Sequence, residues 1–464
     1  MESNTRESNP TGPERAPLKL PVISWLAYNG LAVPLLIGGM HTARFFDEKA
    51  RAGIEGRRHL WARLDARAQS LQGCVWFHAS SAGEYEQARP MIRALREKLG
   101  PSVPTLLTVF SPSGHGHASN HPETDAIEYL PFDSFPAAER ILAKLKPRAL
   151  VFVRYDCWPN LVWSAKRRDV PLLLLGASLH ERSQRLNGTA RSFFEGVYRQ
   201  IDAIGAIDES HAQRFRSAFQ VPTERVRVTG DSRVDQVVAR HEAAADAPIP
   251  KALAENGWRY LIVGSSWPAD ERVYLDAACS TVMAHDDWGM IIAPHEPTLA
   301  HLEALENTIA AKGLQAVRLS DLFDMRTGAR RDGADDQGRQ RVILVDGVGL
   351  LAALYRAGTV AYVGGGFTTG VHSVLEPAVC GLPVLFGPRH VNAVEAGLLI
   401  ERGGGRAVET TQEFRDEFDG LIDDEPHRTR AGERARALVQ EQAGATERNV
   451  DLLLRYVGKG DAQA

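Results

Sequence analysis

From Cys74 onward, short apolar runs alternate with longer amphipathic stretches. The runs CVWFHA, PTLLTVF, AIEYLP, RALVFV, PLLLLGA, IDAIGAI and RVRVTG are rich in Val, Ile, Leu and Phe with few polar interruptions. Strands that are apolar on both sides belong to parallel sheets covered by helices on both faces. The pattern restarts after AAADAPIPKALAENG and continues through YLIVGSS, GMIIAPHE, AVRLS, RVILVD, TVAYVGGG and PVLFGP. The expected fold class is α/β: two doubly wound, Rossmann-like domains in series, facing each other across a cleft. After Thr411 the chain reads as mostly helical to Val457, and FDMRTGARRDGADDQGRQR reads as a charged surface loop.

The first stretch breaks this alternation. Residues 1–19 are polar and Pro-containing, the composition of a disordered tail. Leu20 to Met40 is apolar over nearly the length a membrane span needs, but Asn29, Pro34 and three glycines interrupt it. A shallow, monotopic anchor is favoured over a full span, with a buried core helix as the alternative. Arg44, Lys49, Arg51, Arg57, Arg58 and Arg63 follow, as cations do beside the anionic cytoplasmic leaflet. Residues 20–58 are thus expected to form the anchor and its basic flank, with the bulk of the protein on the cytoplasmic side of the membrane. Deleting residues 1–41 is expected to release protein with both domains folded. The remaining expected boundaries are 59–243 for the first domain, 244–258 for a linker, 259–440 for the second domain, and 441–464 for a C-terminal helix and tail.

Chain length and charge narrow the class. A chain of 464 residues can bury two cores, and a formal charge of -4 without a basic stripe argues against a nucleic-acid partner. The four cysteines lie far apart, with no CxxC pair, which suits reduced, packed thiols.

Candidate chemistry collects where strands end, because side chains there face the ligand crevice of an α/β fold. HASSAGEYEQ follows the first strand and carries Glu84, either a general base or a first-turn acid that only favours the helix start. RYDCWPN puts Asp156 after the fourth strand, and GDSRVD offers the cation Arg233 after the seventh. In the second half, Gly364–Gly366 lead towards a helix beginning near Ser373, with Glu376 one turn in; this reads as a phosphate and ribose site or as a tight turn with an N-terminal acid. Ser265, Ser266 and His295 also end apolar runs. Ligand spacing for a metal is absent, so no metal is expected, and without Gly-x-Ser-x-Gly a hydrolase built on Ser80 is disfavoured.

Together, HASSAGEYEQ, WPN, GDSRVD, GSSWPADE, APHEP, DGVGLLAALY and GGGFTTGVHSVLEPAVCGLPVLFGP, in this order, resemble the 3-deoxy-D-manno-octulosonic acid (Kdo) transferases of lipopolysaccharide biosynthesis. FSPSG, SSWPADE and GGGF resemble the Bacteroidetes-like branch of that family. The resemblance runs from the anchor to about residue 408. It implies a GT-B type glycosyltransferase, inverting and metal-independent, without a cofactor. CMP-Kdo would be the donor, and a lipid A precursor (lipid IVA) at the membrane surface the acceptor. Glu84 would be the general base, with Asp156 and Arg233 steadying the transition state. CMP contacts would fall on Pro294 and His295, on Gly349, Leu350 and Leu351, and on Ser373, Val374, Leu375 and Glu376. The diphosphorylated acceptor headgroup would lie near Arg57, Arg58 and neighbouring cations.

Three motifs depart from the family pattern, at four residues. Where many members read ETELWPN this chain has Arg154 and Asp156; His372–Ser373 stands for HN, and His295 replaces the arginine of PRHPE. Two other readings compete: a GT-B enzyme using a UDP-sugar, and a non-catalytic nucleotide-binding protein at the membrane.

Overall fold

The computed structural model describes residues 22–331, 341–391 and 393–458. The expected tail at 1–19 and the centre of the charged loop lie outside these residues. Two compact units are present: Met1–Asp235 with Ala443–Ala464, and Gln236–Gln442. The division falls inside the helix Ser232–Ala243.

Each unit is built on a seven-stranded parallel sheet. In the first, β1 (Val75–Ala79), β2 (Thr105–Val109), β3 (Ala126–Tyr129), β4 (Ala149–Val153), β5 (Leu172–Ala177), β6 (Ala203–Ala206) and β7 (Val226–Val228) take the order β3-β2-β1-β4-β5-β6-β7. The second contains β8 (Arg259–Ser266), β9 (Trp288–Pro294), β10 (Ala316–Arg318), β11 (Val342–Leu344), β12 (Gly358–Val363), β13 (Val384–Phe386) and β14 (Gly405–Ala407), in the order β10-β11-β9-β8-β12-β13-β14.

Alternate residues of a strand enter different cores. Trp76 packs in one apolar cluster, while Val75 and Phe77 pack in another. Leu261 and Val263 likewise face one cluster, and Tyr260 and Ile262 a second. Both faces of each sheet are therefore covered, as the continuous apolar runs require, and the fold is the expected pair of doubly wound domains. The strand order reverses between β1 and β4 and between β8 and β12, and such switch points are where α/β folds open a crevice at the carboxyl ends of the strands. All four cysteines are free, and Cys74, Cys157 and Cys279 are buried.

The stretch 244–258 is more than a connection. It holds the helix Pro248–Ala254, whose Ile249 and Leu253, four residues apart, bury one face in the second unit's core. At the other end of the chain, Ala445–Val457 packs Val450, Leu453 and Val457 into the first unit.

The N-terminal helix runs from Val22 to Ala43, with a π turn over Tyr28–Ala32. The wider turn accommodates Pro34, which has no N–H for the ladder. It is the one described helix long and apolar enough to cross a membrane. Its two sides differ. Val22, Ile23, Leu26, Leu31 and Leu35 are exposed, as are Phe45 and Phe46 just beyond. The inner side is polar and aromatic: the Tyr28 hydroxyl donates to Asp133 (2.9 Å), Asn29 and Asn160 exchange two amide hydrogen bonds (both 2.9 Å), and Trp25 meets Phe135 edge-on. The anchor therefore cannot be removed without consequence, because deleting residues 1–41 takes partners from buried Asp133 and Asn160.

The basic flank is also partly consumed by the fold. The Arg57 guanidinium donates to the carbonyls of Leu130, Gly53 and Phe110 and lies against the rings of Phe110, Tyr129 and Phe132. Arg63 pairs with Glu128 and donates to the Arg58 and Gly56 carbonyls. These two cations are thus taken by the protein itself and are not free to meet a headgroup, while Lys49 and Arg51 stay exposed.

Candidate active site

At the first switch point β1 runs into Ser80–Ser81 and the helix Ala82–Leu99. Ser81 caps this helix, its hydroxyl facing the Glu84 amide (3.5 Å), and Glu84 Oε2 accepts from the Ser80 N–H. Glu84 thus does part of a capping residue's work. It is also only 2% exposed, and its carboxyl is pushed up to about 7 by burial and then by the charge of Asp156, against the pull of the Ser80 amide and Arg154. A carboxylate balanced near neutrality is suited to taking a proton.

Asp156 follows β4 and accepts from Arg185 (2.7 Å), whose guanidinium rests on Tyr155 and Phe194. Between Asp156 and the strand stands Arg154, a non-glycine residue in left-handed conformation (φ 74°). Arg233 lies in the first turn of the helix Ser232–Ala243. Its guanidinium is turned onto Asp231, which also accepts from Gln87 (3.1 Å), three residues after Glu84. Trp158 stacks on Phe110, and its indole N–H donates to His78 Nε2 (2.9 Å). His78 Nδ1 meets Thr108 Oγ1 at 3.0 Å; burial drives the imidazole down to about 3, so it is neutral and structural.

The second switch point departs from the expected phosphate loop. A Cβ on Gly364 would collide with the Ser265 carbonyl, one on Gly366 would lie 2.5 Å from Gly387 Cα, and one on Gly365 (φ 91°) would lie 2.8 Å from His372 Cδ2. The triplet serves close packing. Two of its amides are also in use: Gly364 donates to Gly264 O and Gly365 to buried Asp270 (both 2.9 Å). Ser266 is buried and bonded to Glu271 and Tyr274, so it offers nothing to an anion.

A ring cluster occupies the crevice instead. The Trp267 indole N–H donates to His372 Nε2 (3.0 Å), and His295, directly after β9, stacks on both at 4.5 Å. Burial and the neighbouring His295 lower the pKa of His372. An Nε2 that accepts leaves the proton of the neutral ring on Nδ1, available as a donor. Ser373 follows, exposed; the helix begins at Leu375, later than expected, and ends at Val379. Among the described residues no acceptor takes the amides of Ser373, Val374, Leu375 or Glu376. Glu376 lies 3.9 Å from Arg240, and burial raises its pKa while Arg240 opposes the rise. Pro294 closes β9, and Leu351 reaches over Gly264 at the end of β8, next to the exposed turn at Gly349 (φ 83°) and Leu350. The predicted nucleotide residues therefore border the ends of β8, β9 and β12. Sequence reasoning missed Trp267 and Asp270; a Trp directly after a strand-end serine was the available signal. Among the described residues no cluster of three or more His, Cys, Asp or Glu could hold a metal.

Residues 55–236 match the model of the 3-deoxy-D-manno-octulosonic-acid transferase family. The Bordetella pertussis 3-deoxy-D-manno-octulosonic acid transferase is 28% identical over 453 residues, covering 93% of this chain and 98% of that protein. The Haemophilus influenzae transferase is 24% identical over 389 residues, 82% of this chain and 87% of that one. The chain belongs to the Kdo transferase family. Among solved structures, the UDP-GlcNAc 2-epimerase from Neisseria meningitidis bound to UDP-GlcNAc superposes with a TM-score of 0.57 at 13% identity, covering 79% of this chain and 98% of that one; this likeness is one of fold. In this Kdo transferase family member the glutamate of HASSAGEYEQ is the buried, capped and electrostatically raised Glu84.

Proposed function

We propose that this protein transfers Kdo from CMP-Kdo to a lipid A precursor, lipid IVA, with inversion and without a metal or cofactor, at the cytoplasmic face of the inner membrane. The observation that carries the reading is Glu84, a buried carboxyl near neutrality at the carboxyl end of β1 in a family member.

The acceptor hydroxyl gives its proton to Glu84. Its oxygen attacks the anomeric carbon, the bond from that carbon to the phosphate oxygen breaks, and CMP leaves as an anion. A single displacement inverts the centre. Since phosphate is already a good leaving group, departure needs positive charge and amide donors more than an acid. On this reading the unpaired amides of Ser373 to Glu376 and the Nδ1–H of His372 meet the phosphate, His295 and Pro294 border the base, and Glu376 accepts from the ribose. Asp156 and Arg233 act on the reacting groups through their ion pairs with Arg185 and Asp231. The exposed apolar side of Val22–Ala43, with Lys49 and Arg51, supports docking into anionic lipid, the inner side staying on the first unit.

Incubation with CMP-Kdo and a tetra-acylated lipid A precursor, followed by mass spectrometry, tests the proposal. The expected product carries one or more Kdo units. Turnover of a UDP-sugar instead, or CMP binding with no product, would overturn it in favour of one of the competing readings.

A further inference from the structure

Three cations of the first unit have different fates. Arg185 is held by Asp156, and Arg233 is turned onto Asp231. Arg154 has no hydrogen bond or ion pair on its guanidinium among the described residues, and its Cζ lies 5.5 Å from the Tyr155 ring centre. It follows β4 directly, and the β1–β4 register, with His78 beside Phe152, sets it alongside Ser80, whose amide holds Glu84. The backbone is pinned on both sides, Arg154 N–H to Leu175 O (2.9 Å) and Ser178 N–H to Arg154 O (3.0 Å), in the left-handed region that a side chain adopts at a cost. Strain of this kind at a strand end, under a cation without a partner, marks a residue placed for a ligand.

The chemistry of the proposed reaction, on which this inference rests, identifies the ligand. In a 2-ulosonic acid the anomeric carbon carries the carboxylate. Attack by the hydroxyl that Glu84 deprotonates therefore brings a third negative charge beside Glu84 and Asp156. Without a cation there, the donor would be repelled by the groups that activate the acceptor. A guanidinium is planar, always charged and shaped to take two carboxylate oxygens.

We propose that Arg154 binds the carboxylate of the donor sugar acid at the carbon where the new bond forms. An acceptor phosphate is an oxyanion too, so the experiment separates the two sources. Initial rates of the full-length protein in detergent micelles are measured for Arg154→Gln, Arg154→Lys and Arg154→Gly, varying CMP-Kdo and acceptor separately; glycine removes the side chain and accepts the positive φ, keeping the fold. In the Gln and Gly variants kcat/KM for CMP-Kdo should fall by about 10²-fold. The acceptor KM should hold within about twofold, CMP alone should bind as before, and Lys should restore part of the loss. The acid limb of the pH profile should move up, because Arg154 helps to hold Glu84 down. An unchanged donor KM in all variants would overturn the assignment. A rise confined to the acceptor KM, abolished with an acceptor stripped of phosphate, would move the site to that phosphate and equally overturn it. If the parent protein bound CMP-Kdo without transfer, the proposed function would fall, yet the carboxylate assignment would still be decided by whether Arg154→Gly loses affinity for CMP-Kdo but not for CMP.

Discussion

The two switch points use one device to different ends. In each, the tryptophan of a Trp-Pro pair that follows a strand donates its indole N–H to a histidine Nε2: Trp158 to His78 after β4, and Trp267 to His372 after β8. His78 is 1% exposed and has partners on both ring nitrogens. His372 is partly exposed, engaged through Nε2, and stacked under a second histidine that is exposed. The first pair holds a strand-end loop in place so that Glu84 and Asp156 can be positioned around it. The second fixes a tautomer and leaves the other nitrogen without a hydrogen-bond partner among the described residues. Burial decides which role the pair plays.

The largest expected effect separates Glu84 from everything else in the first unit. Glu84→Gln keeps an oxygen for the Ser80 amide and removes the proton acceptor, so transfer should fall by roughly 10²–10⁴-fold while CMP-Kdo still binds. In the parent protein kcat/KM should rise with pH through about 7, as Glu84 ionises. Stability should run the opposite way. Between the unfolded value near 4.5 and the folded value near 7, the folded chain keeps a proton that the unfolded chain has released, so stability falls as pH rises across that window, by about 3 kcal/mol in all. The Gln variant escapes this loss and should unfold at a higher temperature than the parent at pH 8. A variant that was both inactive and less stable there would point to a cap and not a base.

A smaller effect tests the paired tryptophans directly. Trp158→Phe takes the donor from a buried histidine and should cost about 1–3 kcal/mol of stability in urea unfolding. Trp267→Phe lies at a partly exposed site, so stability should change by no more than about 0.5 kcal/mol. CMP affinity should instead fall by about tenfold, or ~1.4 kcal/mol. If the two variants lost stability equally and CMP affinity held, the two histidines would share one structural role.

Thirteen of the fourteen described strands were legible because near-continuous apolar runs leave little choice of structure; β14 was not, since Gly405–Ala407 is three residues with an exposed arginine and no apolar run. Glu84 was found through its position, but its double service as cap and raised acid depends on burial that no local pattern reports. Arg57 and Arg63 looked like headgroup cations, since their distant partners, the carbonyls, rings and Glu128 carboxylate of residues 110–132, are brought to them by the fold. The glycine triplet looked like a phosphate loop because close packing and phosphate binding ask for the same residue. Which one applies here was settled by Asp270, Gly387 and His372, each distant from at least part of the triplet in sequence.

The smallest expected effect concerns an asymmetry between the sites: the loop carrying Asp156 and Trp158 continues into Asn160, which pairs with Asn29 of the N-terminal helix, while Tyr28 donates to Asp133 beside it. Asp133 is buried and also accepts from the Asn160 and Leu161 amides, so Tyr28→Phe removes one of three donors and keeps the ring against Trp163 and Phe193. The cost should be about 1 kcal/mol, seen as a lower unfolding temperature of the first unit with the second unchanged. Membrane partitioning should not move, because Ile23, Leu26, Leu31 and Leu35 point away from the substituted face. Release of the protein from vesicles by this one hydroxyl would mean that the inner face, and not the exposed apolar one, is what meets the lipid.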